Sequence, residues 1–579
     1  MVFKAAADIL GRTYNDFRKE MIVSHNGPGL VIPEGVEVLQ SPDEYYKAIR
    51  RGIQEAQHTI VLSALYLGCG SLEHDLVSDL LHALNTRPKL QVTLILDHSR
   101  SQRVVDINAS TLGLIANLDG AVSYNSTRTT QNENRLFNKS YPGYFMMLPL
   151  LKDHSSRCRV LLFQVPQVRS SPVSRLMNLR PAQWATVGEV MGVYHAKFCI
   201  FDEECLLTGA NLSHEYFVNR QDRYMRFPKS PRLAPDDGVE APQDMLAFLR
   251  SFCEAIATHC HSVDAQGKLQ APPQLSATEL GMRLRQSLQA AFATRVRRAQ
   301  EPSNLAVHTI AYPLLQLGNS GIQDESRCLP PLLLALASIS NAFKLHTEER
   351  PRTVDAPVVR AKAVVVTSPY PSFQPPLCQA LGALAASSTV PVTIIAPCVS
   401  SHGFGSATGV KAVIPKVHEA SLTDAVAACR EAYRNSHLTT SSAQCTTKSH
   451  EEECMESVEG SADGFLVTRY AKAGWTYHAK GLWATLQGSA RSGLSTAELT
   501  YIGSSNLGAR SAQRDLELGF IMVTKEPALQ AALLHERRGI LQHCSVAGSP
   551  VSNAPTVKGE ISSVGRIIQV FSRVLRSYF

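Results

Sequence analysis

At roughly 150 residues per domain, the 579 residues of this chain amount to about four domains. Hydrophobic residues make up 44% and charged residues 18%, which excludes a mostly disordered, collagen-like or coiled-coil chain. Lys plus Arg is 57 against 50 for Asp plus Glu, a net +7. That is too little for a chain coated for nonspecific nucleic-acid binding, but it suits a protein that handles phosphates or rests on an anionic membrane.

The N-terminal stretch, Met1 to His25, mixes Lys4, Arg12, Arg18 and Lys19 with Asp8, Asp16 and Glu20. Transit peptides are poor in acids, so it reads as a weak targeting signal. Ser41-Pro42-Asp43-Glu44 is a helix start, with Ser as N-cap, Pro at the first position and Glu at the third. Apolar strand-like runs at Thr59–Leu67 and Leu90–Leu96 flank a helical stretch around Leu72–Leu84, which is βαβ spacing. Asp97 ends the second strand, and Arg100 and Arg103 follow where α/β sheets hold ligands. These arginines read either as phosphate ligands, since Arg suits bidentate contacts, or as solvated loop charge.

Residues 104–140 are rich in Asn, Ser and Thr and read as an inserted loop. Arg159–Gln164 is a further strand, and residues 228–242 form a Pro-rich linker. The next helix carries Met245, Phe248, Leu249, Phe252 and Ile256 on one face. The apolar run Leu332–Ile339, beside Pro330 and Pro331, is too short to span a membrane and reads as a core helix. Residues 436–464 hold one Lys/Arg and six Asp/Glu, a net −5, and read as a disordered surface insert. At the C-terminus Val564, Ile567, Ile568, Phe571, Val574, Leu575 and Tyr578 form one helical stripe flanked by Arg566, Arg573 and Arg576. Such a helix either lies in a membrane interface or docks on the protein. The positive charge is concentrated: His98–Arg180 holds 11 Lys/Arg and 4 Asp/Glu, a net +7, and Gly548–Phe579 holds 4 and 1, a net +3. The 13 cysteines are scattered, with no CxxC and no zinc spacing. They read as buried reduced thiols in a reducing compartment, and no metal ligand set is apparent.

An internal repeat carries the chemistry. Tyr194-His195-Ala196-Lys197 returns as Tyr477-His478-Ala479-Lys480. Each copy is followed by a glycine-asparagine signature: Gly209-Ala210-Asn211-Leu212-Ser213, and Gly503-Ser504-Ser505-Asn506-Leu507-Gly508. Each then reaches an acid, Asp222 in Arg220-Gln221-Asp222 and Glu517 in Arg514-Asp515-Leu516-Glu517. In a strand, residues i and i+2 share a face, so His195 and Lys197 point together, as do His478 and Lys480. After Phe201 and Asp202, an acidic turn at Glu203-Glu204 returns the chain as a hairpin. Two lysines and two asparagines provide donors for a phosphoryl group, and two histidines provide a nucleophile and a general acid/base. Neither half has the parts to act alone.

The pattern resembles the phospholipase D superfamily of His-x-Lys-x4-Asp phosphodiesterases. The first copy matches with His195, Lys197 and Asp202, whereas Thr485 stands at the corresponding acid position of the second. The segments Leu65–Gly68, Gly209–Ser213, Asn219–Tyr224, Trp475–Trp483, Gly403-Phe404-Gly405 and Arg514–Glu517 resemble eukaryotic phosphatidylglycerophosphate synthases, whose pattern also lacks the second Asp. The resemblance implies an α/β fold of two pseudo-symmetric halves around one active site, each a mixed sheet flanked by helices. The expected organisation is an N-terminal segment 1–35, a first half 36–300, a second half 301–545 and a tail 546–579.

It also implies transfer of the phosphatidyl group of CDP-diacylglycerol to glycerol 3-phosphate through a phosphohistidine. No cofactor, no obligatory metal and no nucleic-acid partner are expected; no basic-aromatic stripe is present. The location implied is the mitochondrial inner membrane, with peripheral attachment to its anionic surface, for which 564–578 is the candidate segment. His195 is the expected nucleophile and His478 the base, although these roles could be reversed. Lys197, Lys480, Asn211 and Asn506 would hold phosphoryl oxygens, with His195 oriented by Glu517 and His478 by Asp222. The alternatives are a phosphatidylserine or cardiolipin synthase, a phospholipase, a nuclease of the same fold or an inactive lipid-binding scaffold.

Overall fold

A computed structural model describes residues 2–16, 29–106, 140–166, 191–228, 245–296, 307–349, 358–387, 391–407, 412–441, 464–490 and 493–546. The stripe at 564–578, the linker 229–242 and most of the two inserts lie outside the described residues.

The strands are β1 (Leu30–Ile32), β2 (Glu37–Leu39), β3 (Thr59–Ser63), β4 (Gln91–Asp97), β5 (Val104–Asp106), β6 (Ser140–Pro142), β7 (Cys158–Phe163), β8 (Phe198–Phe201), β9 (Glu204–Thr208), β10 (Arg220–Gln221), β11 (Tyr224–Phe227), β12 (Cys260–Val263) and β13 (Leu269–Gln270). They continue as β14 (Thr309–Leu317), β15 (Ile322–Gln323), β16 (Val358–Thr367), β17 (Val392–Pro397), β18 (Phe465–Tyr470), β19 (Thr476–Tyr477), β20 (Gly481–Ala490), β21 (Gly493–Gly503), β22 (Glu517–Thr524) and β23 (Cys544–Val546). The first sheet has the order β13-β12-β7-β4-β3-β8-β9-β11-β2, and the second, read from its far edge, β23-β18-β17-β16-β20-β21-β22-β14-β1. The two orders correspond strand for strand over most of their width. In each, a parallel triple (β3, β4, β7; β16, β17, β18) joins an antiparallel hairpin (β8–β9; β20–β21).

Side-chain alternation gives each sheet two apolar faces. Val61, Ile95, Leu161 and Phe198 of the first sheet share one core with Val365, Trp483, Ile502 and Phe520 of the second. On its other face Ile60, Leu62, Leu94 and Leu96 pack against Ile49 and Ile53 of the helix Pro42–Glu55 and Leu76 and Leu80 of the helix Ser71–Thr86. The second sheet buries Val364, Val366 and Ile394 against Leu332 and Leu336 and against Leu377 and Leu381. The arrangement is four-layered, helix–sheet–sheet–helix, with the site where the halves meet.

Several expectations are refined. The helix Pro42–Glu55 begins at the Ser41 cap, whose side chain accepts from the Glu44 N–H. The helix around Leu332 starts at Asp324 and runs through Pro330 and Pro331 to Glu349, its burial against the sheet offsetting two missing backbone donors. The N-terminal segment is not separate: Ala6, Ile9 and Leu10 of the helix Val2–Asp16 enter the second half's outer core, and Leu30–Ile32 pairs with β14. Of the described cysteines, seven are buried and all are free thiols. Among the described residues no helix is long and apolar enough to cross a membrane.

Candidate active site

The two His-x-Lys segments do not lie in the sheet ladders. His195 and Lys197 precede β8, and His478 and Lys480 lie between β19 and β20. Each segment instead bonds to the opposite half, directly beside the acid it meets. His195 N–H donates to Leu516 O at 2.8 Å, and Leu516 N–H donates back to Val193 O at 2.8 Å. His478 N–H donates to Gln221 O at 2.8 Å, and β10 pairs in parallel with β19. Tyr194 and Tyr477 are buried packing residues behind these segments, their hydroxyls held by Ser63 and Thr367.

These bridges fix the side chains. His195 Nδ1 lies 2.8 Å from Glu517 Oε2, and His478 Nδ1 lies 2.7 Å from Asp222 Oδ2. A carboxylate on Nδ1 keeps the proton there and leaves Nε2 with the lone pair. Ser504 and Ser511 also donate to Glu517, at 2.5 and 2.7 Å. Lys480 Nζ reaches Asp222 Oδ2 at 3.1 Å, His478 Nδ1 at 2.5 Å and Gly209 O at 3.2 Å. Gly209 is required for this, because a Cβ there would come within 2.5 Å of Asp222 Oδ1 and 2.6 Å of Lys480 Cδ. Lys197 Nζ donates to His195 O at 2.7 Å.

Burial holds the His195 imidazole below the usual histidine range, Glu517 opposing and Lys197 adding. Burial and the Lys480 ammonium push His478 well below it, against Asp222. Burial also pushes Lys197 down to about 7, with Glu517 opposing and Lys480 adding. Burial alone would raise Glu517, but His195, Lys197 and Ser504 hold it at about 2. Asp222 is likewise held below the usual range by Lys480 and His478, against the effect of burial. The resting site therefore has two carboxylates, two neutral imidazoles and cationic donors, which is the composition a tetrahedral phosphoryl group needs.

Asn211 is buried and its Oδ1 accepts from the Leu65 N–H at 3.3 Å. Asn506 Oδ1 is buried without a partner among the described residues. Asp202 does not join the cluster. It sits at the far end of β8, where it takes φ +49° and its carboxylate accepts from the N–H groups of Gln57, His58 and Thr59 at 2.6 to 2.8 Å. The turn is Asp202–Glu203, one residue earlier than expected, because Glu204 already pairs with Phe201. Arg100 stacks 4.5 Å over Tyr66 at the end of β4, and Arg103 is in the loop beyond it, its carbonyl accepting from Gly143 N–H.

Sequence reasoning missed Tyr216, Arg220 and Tyr370, which surround the exposed side of His478. Tyr216 Oη is 3.2 Å from His478 Nε2, and the Tyr370 ring centre is 6.0 Å from that of His478. One signal was available. Tyr216 follows Asn211 at the offset at which Ser511 follows Asn506, so the repeat breaks its own symmetry there.

Two halves, each giving a histidine and a lysine to a site whose acids come from the other half, form the arrangement that the resemblance to the phospholipase D superfamily implies. The chain shares its fold with the crystal structure of a phosphatidylserine synthase from Haemophilus influenzae, at a TM-score of 0.56 and 14% identity over 98% of this chain and 100% of that one. In sequence it is similar to proteins named CDP-diacylglycerol–glycerol-3-phosphate 3-phosphatidyltransferase, mitochondrial. That of Gallus gallus is 27% identical over 90% of this chain and 80% of its own length, and that of Homo sapiens 27% identical over 93% and 83%. The Saccharomyces cerevisiae protein of the same name, without the location, is 23% identical over 88% and 82%. No family model matches the chain. These similarities bear out the resemblance read from the motifs: the chain is a relative of these phosphatidyltransferases.

Proposed function

We propose that the chain transfers the phosphatidyl group of CDP-diacylglycerol to glycerol 3-phosphate, giving phosphatidylglycerophosphate and CMP. The observation that carries this reading is the pair of crossed His–carboxylate contacts, His195–Glu517 and His478–Asp222, flanked by Lys197 and Lys480. The names of the relatives supply the two substrates.

In the proposed course, His195 Nε2 attacks the lipid-side phosphorus and the bond to the CMP oxygen breaks. CMP leaves readily, because its second phosphate pKa is ~6, as for other phosphate monoesters. A neutral His478 is therefore adequate in this step, and its depressed pKa fits that. His478 then takes the proton of the 1-hydroxyl of glycerol 3-phosphate, which attacks the phosphohistidine and frees His195. Lys197, Lys480, Asn211 and Asn506 steady the phosphoryl oxygens, and Glu517 and Asp222 hold the two tautomers.

The mitochondrial location follows the relatives' names, and an anionic inner-membrane surface suits the basic C-terminal stretch. The halves 36–300 and 301–545 act as one unit in this reading. The test is CMP release from CDP-diacylglycerol by the purified full chain with glycerol 3-phosphate, serine or water. Release only with glycerol 3-phosphate is expected. Release with serine alone, or none with any acceptor, overturns the proposal.

A further inference from the structure

The phosphoryl centre leaves Arg220 without a task. This half-buried guanidinium lies 4.7 Å over the ring of Tyr216, and its Nε donates to Thr476 Oγ1 at 2.9 Å. Among the described residues no carboxylate oxygen lies within ion-pair distance of it, whereas Arg223 on the same segment is ion-paired with Glu536 at 2.8 Å. A guanidinium drawn out of water without a contacting carboxylate is costly, Glu215 acting on it only through space, and an arriving anion offsets that cost.

The surroundings fit an anion on the acceptor side. Asp222 holds His478 Nδ1, so the reactive Nε2 faces Tyr216. The Arg220 guanidinium lies over the ring of that tyrosine, 4.7 Å from its centre. Gly403 borders this space: a Cβ there would stand in ordinary contact, 3.5 Å from Tyr370 Oη and 3.8 Å from an Arg220 terminal nitrogen. A hydroxyl handed to His478 Nε2 would thus carry the remainder of a short acceptor over Tyr216 towards the guanidinium.

We infer that Arg220 binds the phosphate monoester of the acceptor and thereby selects a phosphorylated alcohol over an uncharged one. The inference rests on the reading of His478 as the acceptor's base. The leaving CMP is also a phosphate monoester, and it departs on the same side, so the experiment must separate the two.

Wild type, Arg220→Gln and Arg220→Lys are compared with CDP-diacylglycerol in mixed micelles, using glycerol 3-phosphate and glycerol as acceptors. Covalent labelling by lipid-labelled CDP-diacylglycerol is read in parallel without acceptor. A lost charge-assisted phosphate contact costs about tenfold to a hundredfold. The Arg220→Gln preference for glycerol 3-phosphate over glycerol, as a ratio of kcat/KM, is expected to fall by about that factor, mostly through KM. Arg220→Lys, which keeps the charge and loses the fork, is expected to fall less. An unchanged ratio overturns the inference. So does a loss of labelling that matches the loss with both acceptors, which would assign Arg220 to CMP or to folding. If the wild type fails to use glycerol 3-phosphate at all, the functional reading falls first and this inference with it.

Discussion

The two His-x-Lys segments begin alike and end differently. After Lys197 the strand β8 lasts four residues and turns at Asp202, whereas after Lys480 the strand β20 runs ten residues to Ala490. The acid belongs to the turn. Asp202 adopts a left-handed backbone that short polar side chains tolerate and binds three N–H groups at the mouth of β3. Thr485 lies mid-strand, paired with Ala363, and its hydroxyl donates to Glu498. A second Asp would have no turn to close. The missing acid is thus a consequence of strand length and carries no information about catalysis. The acids that contact the two histidines differ as well. Asp222 is shared by a histidine and a lysine, while Glu517 receives a histidine and two serines.

The largest expected effect breaks the symmetry of the histidines. His195→Ala should abolish covalent labelling and lower kcat on the order of 10⁴-fold or more, since the nucleophile has no substitute. His478→Ala should lower turnover by about 10² to 10⁴-fold yet still become labelled. A labelled His195→Ala protein, or an unlabelled His478→Ala protein, would reverse the roles. Asp222→Asn should resemble His478→Ala, and Glu517→Gln should resemble His195→Ala in its labelling defect.

The lysines sharpen the contrast through pH. Lys197 titrates at about 7 in the free protein, so kcat/KM for CDP-diacylglycerol should decline as pH rises through that value and the cation is lost. The histidines are needed neutral, and their pKa values lie below the usual 6.5, so the acid limb should appear only below that pH. Lys197→Arg should remove the alkaline limb, because arginine keeps its charge. An alkaline limb that persists in this variant would assign it elsewhere.

The smallest effects concern the unequal turn. Asp202→Asn should cost about 2 kcal/mol in denaturant unfolding and leave kcat within about twofold, as lost charge-assisted bonds far from the phosphoryl centre would. Thr485→Val should cost about 1 kcal/mol, with catalysis unaffected. A large kcat loss in Asp202→Asn would return that residue to the active site.

Much of the site was legible because a duplicated motif states its parts twice. His195, Lys197, His478 and Lys480 follow from the repeat, and the βαβ start follows from periodicity and the Ser41 cap. What escaped depends on long-range approach. Sharing of a strand face was the wrong reason for His195 and Lys197 to act together, since both precede the ladder: His195 is held by Leu516 and Glu517 from over three hundred residues away, and Lys197 Nζ donates to the His195 carbonyl. Tyr216 and Arg220 are brought to His478 only by the docking of the halves, and Tyr370 by the folding of the second half itself, neither of which a local pattern encodes. The docking of Val2–Asp16 on the second half was equally invisible, because an amphipathic stripe does not name the surface it covers.

The backbone bridges beside Leu516 and Gln221 have a consequence for how activity is lost. Each carries a histidine from one half and an acid from the other, and Arg223 spans the same boundary to Glu536 and the Tyr501 carbonyl. Separation of the halves would disassemble both catalytic pairs in a single event. Thermal inactivation should therefore track undocking of the halves, without a partly active intermediate. A fragment holding one half would be silent, and two such fragments would regain turnover only on reassociation.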